Sequence, residues 1–573
     1  MSLSSITHLN ALQSDALAAI QSVETGPEDL FRHDAIIDAL EEAGGAFPPI
    51  YERAMRLPLL NTFRSLGPDG WAGVLDSDPR IERAARLGLD LTQAIVQRAD
   101  PDIETASLAF QEVISDLYDG YLGAADRTGV KAPDHSVLAP LVKWGQPRSG
   151  PYVWPAPATA GYGCSAGVVS MPPAFASGGL VAWSALAHEG GGHAILHADI
   201  GLHTELAEKV HDKIWKSKDK QLADNKIRKA LAVYWSEKID ETASDVLGVL
   251  NMGPAAAIGM IAYFRALRRE GKLLPFDTGS PHPTDIARGY LVAAAVGHCE
   301  FDHNNDWRKL LTEEVDLDVP DGHVWLGGAM YSKDVVRDTA NLAALAIMND
   351  RIAALENHRI TEIQNWTNDD NRIVQLLGTQ VFMGGHALPP VLHDGVYAAH
   401  GVSAAIMVSL LDGRARAHQA RMVEMLGAMH RSNVAWTGLE FAHSGALLPQ
   451  HAPHFATIAE IDPTIDAAHE SSKSVGSVAM GRMAMLGLTY GMDAAKAAAN
   501  DVPGSDINIP FGFASDTPAS FGSDIVIPFG YGARRHGLKV RNGDWAVDEK
   551  GAEVPLHEGL TPDILNLILG KLR

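Results

Sequence analysis

The segment His188-Glu189-Gly190-Gly191-Gly192-His193 constrains the chain most, because its two histidines can share one metal ion only in a particular backbone conformation. On a regular α-helix, residues five apart are rotated by about 140° around the axis, whereas residues four apart differ by about 40°. A shared ion therefore requires a helix that bulges by one residue. Glycines accept backbone angles that other residues avoid, and π-bulges often occur at functional sites. We predict a bulged helix over residues 181–197.

A second pairing is open in the same segment. His193 and His197 are four residues apart, so they would share one face of an undistorted helix. That pair has no glutamate directly after its first histidine, and it leaves the glycines without a role. The pattern favours His188 with His193, and the remaining alternative is a core helix whose histidines bind no metal.

The segment Glu241-Thr242-Ala243-Ser244-Asp245 supplies what the histidines lack. Glu241 offers a third metal ligand, and Asp245, one helical turn later, can orient a ligand histidine. Two imidazoles and one carboxylate hold Zn²⁺ at about 2.0–2.2 Å and leave a position open for water, whose pKa falls to roughly 7. Glu189 can take the proton of that water and return it to a leaving amine, as general base and then acid. The sequence therefore predicts a Zn²⁺-dependent hydrolase with the metal ligands His188, His193 and Glu241.

These motifs resemble those of gluzincin metallopeptidases. The Glu241–Asp245 segment is similar to the Glu-x-x-Ser-Asp helix of the thermolysin family, and the six-residue histidine motif is similar to that of dipeptidyl peptidase III. A third segment, Ser280-Pro281-His282-Pro283 with Arg288 six residues after the histidine, resembles the CAAX prenyl-protease and HtpX families. The resemblance covers about residues 160–300.

The resemblance implies a gluzincin-like core and a peptide or small amide as substrate. It also implies catalytic roles for His282 and Arg288, which would approach the substrate carbonyl or brace the ligand carboxylate. A developing oxyanion needs such a donor. The alternative for His282, which lies between two prolines, is a surface turn. In the resembling enzymes an edge strand pairs with an extended peptide, and residues 166–171 are the candidate by position.

Hydrophobic periodicity predicts a predominantly helical α+β fold in four segments. They are an N-terminal helical lobe (1–150), a zinc-hydrolase core (151–300), a second helical lobe (301–500) and a small strand-containing segment (501–573). A Pro- and Gly-rich passage at 147–163 marks the first boundary. Strand-like near repeats occur at 507–512 and 525–530. Helices are expected at 78–98, 226–250, 254–271, 284–296, 333–366 and 395–429.

Composition limits the partners and the compartment. The formal charge of −23, from 70 acidic and 47 basic residues, argues against nucleic acid and anionic membranes as partners. With only Cys164 and Cys299, no disulfide framework is implied. We find no signal peptide and no apolar run of about 20 residues, so we expect a cytoplasmic protein. The oligomeric state is left open.

Two other functions remain open. Gly163-Cys164-Ser165-Ala166-Gly167 fits the G-x-S-x-G nucleophile elbow of serine hydrolases, with Ser165 as the nucleophile. A peptidase-like binding protein without activity is the other alternative. Further histidines at 386, 393 and 400 recur every seventh residue, but Pro389-Pro390 would break a shared helix. The cluster of His298, Cys299, Asp302 and His303 is interpreted as a polar helix end.

Overall fold

The computed structural model describes residues 8–433 and two short strands near the C-terminus. Gaps within 8–433 fall at 23–25, 27–28, 76–78, 102, 123–126, 128, 132, 135–137, 147–149, 269, 278–281 and 386–395. The near repeats at 507–512 and 525–530, and the histidines at 386 and 393, lie outside the described residues. The described chain is mostly helical with three small sheets, which confirms the predicted class.

The N-terminal part is helical, as predicted. Its helices are α1 (Leu9–Ile20), α2 (His33–Glu42), α3 (Pro49–Tyr51), α4 (Leu57–Leu75), α5 (Pro79–Ala99) and α6 (Thr105–Leu122), with a π turn at Glu52–Arg56. Helix α4 is interrupted at Gly67, where φ is 67° and Pro68 follows. Helix α5 matches the helix predicted at 78–98, and its apolar face, including Leu91, Ala94 and Ile95, is buried.

A three-stranded sheet follows these helices. It contains β1 (Leu141–Trp144), β2 (Tyr152–Trp154) and β3 (Val168–Met171), in the order β1-β3-β2. Strand β3 is parallel to β1 and antiparallel to β2. The strand predicted at 166–171 is therefore present, but the expectation that it forms an edge is wrong. All four residues of β3 are buried, as is typical of a strand that is paired on both sides.

One buried ion pair fastens this sheet to α5. Lys143 Nζ on β1 lies 2.8 Å from Asp90 Oδ1, and Arg86 Nη2 lies 2.7 Å from the same oxygen. The other oxygen of Asp90 accepts hydrogen bonds from Tyr152 and Trp154, each at 2.8 Å. Burial alone would raise the pKa of Asp90, but the two cations outweigh it and hold that pKa below its usual value.

The remaining helices build the centre of the molecule. They are α7 (Ala156–Thr159), α8 (Ala185–His188), α9 (Ala194–Leu196), α10 (Leu202–Trp215), α11 (Asn225–Glu237), α12 (Ile239–Met252), α13 (Pro254–Leu267), α14 (Asp285–His298), α15 (Asn304–Asp316), α16 (Lys333–Asn349), α17 (Asn368–Leu376), α18 (Ala398–Asp412) and α19 (Ala415–Ser432). Antiparallel hairpins pair β4 (His323–Leu326) with β5 (Ala329–Ser332), and β6 (Trp545–Val547) with β7 (Glu553–Val554).

Several predicted helices are divided. The helix expected at 226–250 becomes α11 and α12, which are separated at Lys238. The helix expected at 333–366 ends at Asn349, and short 3-10 turns follow it. The helix expected at 395–429 divides at Gly413, whose φ of 70° ends α18 in the left-handed region that glycine favours. Pro254 opens α13 as predicted.

Helix α12 is the centre of the larger of two hydrophobic cores. Every residue of α12 is buried, including Asp240, Glu241 and Asp245. The larger core draws residues from Leu9 to Met429, and thus from the first three predicted segments. The smaller core is formed by residues from the sequence range between Ile36 and Val168. None of the described helices is both long and apolar enough to cross a bilayer.

Candidate metal centre

The backbone around the histidine motif forms the bulge that the spacing predicts. Residues Glu189–His193 are a π-helical turn between α8 and α9. The extra residue per turn brings His188 and His193 onto one face, with their Nε2 atoms 3.0 Å apart. Their rings stand at 90° to each other, with centroids 4.6 Å apart.

The glycines of this turn are required for a different reason from the one expected. None of the three has a positive φ, so their backbone angles do not demand glycine. They are instead packed tightly against neighbouring helices. A Cβ atom on Gly192 would lie 2.7 Å from Ser244 Cβ and 2.9 Å from its carbonyl oxygen, and one on Gly191 would lie 2.8 Å from Asn251 Nδ2. The absence of side chains lets the π turn approach α12 closely enough for both histidines to reach Glu241.

Glu241 completes a group of three residues that could hold a metal ion. One of its carboxylate oxygens lies 3.3 Å from His188 Nε2, and the other lies 3.6 Å from His193 Nε2. Tetrahedral coordination with bonds of about 2.0–2.1 Å places neighbouring ligand atoms roughly 3.3–3.4 Å apart. The observed separations of 3.0, 3.3 and 3.6 Å bracket that spacing. This buried group can bind a metal ion.

The Glu241 carboxylate is buried without hydrogen-bond donors from the described residues. Both of its oxygens are fully buried, and neither forms a hydrogen bond with a described residue. Burying an ionised carboxylate costs several kcal/mol unless partners compensate for the lost water. Imidazole nitrogens surround it at ion-pair distance without hydrogen-bond geometry. A cation between these atoms would satisfy them, so the donor set fits a divalent metal.

A carboxylate holds the far nitrogen of each ligand histidine. Asp245 Oδ1 lies 2.8 Å from His188 Nδ1, the orienting contact expected of Asp245. Asp240 Oδ2 lies 3.1 Å from His193 Nδ1, a role that the motif analysis missed. The other oxygen of Asp240 lies 2.9 Å from His197 Nε2, so His197 lies outside the ligand group. Such carboxylates fix the tautomer of a ligand histidine and raise its basicity.

Arg288 and His282 contact the carboxylates of the centre. Arg288 donates two hydrogen bonds to Asp245, at 2.8 and 2.7 Å, and its Nη2 lies 3.4 Å from Glu241. His282 Nε2 lies 3.2 Å from the other oxygen of Glu241. The side chain of His282 is only 11% exposed, so it is not a surface turn residue. Of the two roles considered, these contacts match the bracing of the ligand carboxylate.

Burial and charge shift the titration of the centre. Burial alone would lower the pKa of His188, but its contacts with Asp245 and Glu241 outweigh burial and raise it to about 10. Burial raises the pKa of Glu189, and the neighbouring histidines offset only part of that rise. Burial lowers the pKa of His282 to about 4 despite the proximity of Glu241, so His282 is neutral at pH 7.

A small cavity adjoins the centre on the side of His188 and Glu189. Its volume is about 30 Å³. A water molecule needs about 10–15 Å³ measured in this way, so this volume has room for about two waters. The cavity lies between α8 and α13, where Ala185 and Met260 are the partly exposed residues of its wall. The space beside His188 and Glu189 is thus a narrow cavity between helices.

The other candidate residues do not form a comparable site. Ser165 lies after a 3-10 turn and before β3, which reverses the strand-then-helix order of a nucleophile elbow. Its hydroxyl forms no hydrogen bond with a described residue. Helix α14 ends at His298, which contacts Asn341, and this agrees with the polar helix end. His400 contacts Asp370. The metal-binding group above is the one found among the described residues.

Comparison with known protein families, curated proteins and solved structures gives no match for this chain. The resemblance to gluzincins therefore rests on the sequence motifs alone.

Proposed function

We propose that the chain is a zinc-dependent hydrolase that cleaves a peptide or amide bond, with a gluzincin-like core. The observation that carries the proposal is the placement of Glu189 directly after a ligand histidine, buried and with Oε2 lacking a hydrogen-bond partner. A purely structural zinc site has no use for such a carboxylate and is usually closed by a fourth protein ligand.

When bound, Zn²⁺ supplies a Lewis acid and lowers the pKa of a coordinated water to roughly 7. Glu189 accepts a proton from the attacking water and later delivers it to the leaving amine. Burial raises the pKa of Glu189, which makes its carboxylate a stronger base than an exposed one. Asp245 and Asp240 lie at 2.8 and 3.1 Å from the Nδ1 atoms of the two imidazoles, and their charge favours the tautomer that leaves Nε2 unprotonated for a metal.

The small volume of the cavity favours a second candidate, a metal-binding protein without hydrolase activity. In that case the ion stabilises the fold, and the cavity holds water alone. The two candidates differ in what they require of Glu189, since a metal-binding protein does not need its carboxylate as a base.

Glu189→Gln separates these candidates. We expect the variant to retain one zinc per chain and to lose roughly 10²- to 10⁴-fold in the rate of peptide-library cleavage, because it cannot accept the proton. Glu112→Gln is the matched control, since Glu112 is equally buried but contacts His430 and Asn433. Cleavage that persists undiminished in Glu189→Gln would remove the catalytic proposal. A zinc-loaded wild type that cleaves no peptide or amide would favour the binding protein.

A further inference from the structure

The polar groups in the cavity wall are almost all engaged with the protein. Ser184 Oγ donates to the carbonyl oxygen of Val181 at 2.8 Å. Arg288 donates to Asp245, as described above. The far nitrogen of His188 lies against the same aspartate. These donors are committed to holding the centre together, so they are poorly placed to receive a substrate oxygen.

Besides the Glu189 carboxylate, which only accepts hydrogen bonds, the exception in this wall is Tyr263 on α13. The residue is 2% exposed and lines the same cavity as Glu189. Its hydroxyl forms no hydrogen bond with a described residue. The hydroxyl oxygen is also not completely enclosed by protein atoms. The cavity is the open space that this residue lines, and the Glu189 carboxylate is close enough to influence the phenol.

The ring of Tyr263 is held in place. It packs edge-to-face on Phe175 with centroids 5.8 Å apart and planes at 70°. The carbonyl oxygen of Phe175 accepts hydrogen bonds from Trp183 and Gln419, which anchor that neighbour. A buried phenol normally finds a hydrogen-bond partner, because leaving the group unpaired costs about 1–3 kcal/mol. A phenol held in place beside a small cavity and a carboxylate can donate its hydrogen to a molecule bound there.

We propose that Tyr263 is a further catalytic residue, which donates a hydrogen bond to an oxygen atom of the substrate in the cavity beside Glu189. The proposal rests on the proposed function. No proton is transferred: the phenol keeps its hydrogen and stabilises charge that develops on the oxygen. Burial and the nearby Glu189 carboxylate raise the pKa of Tyr263, so the O–H group is intact throughout the neutral range.

Tyr263→Phe in the zinc-loaded full chain tests this role by kinetics. We expect kcat on a peptide library to fall roughly 10²-fold or more with KM little changed, because only the donor to the reacting oxygen is lost. Zinc stoichiometry and circular dichroism should match the wild type. Tyr121→Phe is the control, since Tyr121 is also a buried phenol without a hydrogen-bond partner, and it packs beside Arg127 and not along the cavity. Unchanged kcat in Tyr263→Phe overturns the proposal.

If the wild type cleaves no peptide or amide, the proposed hydrolase function is refuted. A binding measurement then still tests the role of Tyr263. Acetohydroxamic acid is a small zinc ligand whose oxygens can accept the phenol hydrogen. Calorimetry on zinc-loaded protein should show about tenfold weaker binding by Tyr263→Phe than by the wild type and by Tyr121→Phe. Equal affinity in all three proteins, or no binding by any of them, overturns the role of Tyr263.

Discussion

Replacing Glu241 by glutamine removes one negative charge from the centre and leaves the shape of the side chain almost unchanged. The carboxylate has nitrogen atoms of four side chains at 3.2–3.6 Å. A unit charge pair 3.3 Å apart is worth about 5 kcal/mol at an effective dielectric constant of 20. Bonding to a divalent ion is closer and stronger still. We therefore expect Glu241→Gln to weaken zinc binding by at least about 10³-fold, which is roughly 4 kcal/mol.

Thermal unfolding with and without zinc measures this loss. A ligand present at about 1,000 times its Kd stabilises the folded state by about 4.1 kcal/mol. Unfolding entropy of about 2.1 cal/mol/K per residue, over roughly 400 folded residues, converts that energy into a rise in Tm of about 5 °C for the wild type. At the same zinc concentration, Glu241→Gln should rise by less than about 1 °C.

Glu112→Gln again serves as the control for this measurement. It should unfold at a lower temperature than the wild type, because it weakens the contacts with His430 and Asn433, yet it should keep the full zinc-dependent rise. If Glu241→Gln shows the same rise as the wild type, Glu241 is not a ligand and the reasoning fails.

Three further predictions, one of them with a control variant, have distinct expected outcomes. Asp240→Ala should weaken zinc binding 10- to 100-fold in a competition titration, because it removes the carboxylate that contacts His193 Nδ1. Unchanged affinity would show that this contact does not support zinc binding. Gly192→Ala should lower the free energy of unfolding in urea by about 1–3 kcal/mol. Gly248→Ala should be tolerated, because its Cβ would meet its neighbours at 3.5 Å, and equal losses in the two variants would contradict the packing argument. Asp90→Asn should lower the free energy of unfolding at pH 7 by about 3–5 kcal/mol. Because the pKa of Asp90 is depressed in the folded state, its contribution is present above about pH 4 and is lost as the pH falls through that folded value, so the difference between the proteins should narrow in acid.

Local spacing was enough to predict that His188, His193 and Glu241 come together. Two histidines five residues apart can meet only across a bulge, and the structure has that bulge at Glu189–His193. The contacts of Glu241 and Asp245 with His188 followed from residue type and from their separation of one helical turn. In each case the chemistry of a metal site limits which residues and spacings can work.

Features that depend on distant parts of the chain could not be predicted. Adjacent residues on an α-helix differ by about 100° in direction, so sequence alone does not show that Asp240 reaches His193 while Glu241 lies between both histidines. The central position of β3 depends on its pairing with β1 and β2, which lie outside the motif region. Nothing in the spacing of Tyr263 points to Glu189, because only the packing of α13 brings both residues to one cavity.

Anomalous diffraction at the zinc edge from crystals of the zinc-loaded protein tests the central claim most directly. The account predicts one strong peak per chain, about 2.0–2.2 Å from His188 Nε2, His193 Nε2 and a carboxylate oxygen of Glu241. A peak coordinated by His197 in place of His188, or no peak near Glu241 in protein that carries stoichiometric zinc, would contradict it.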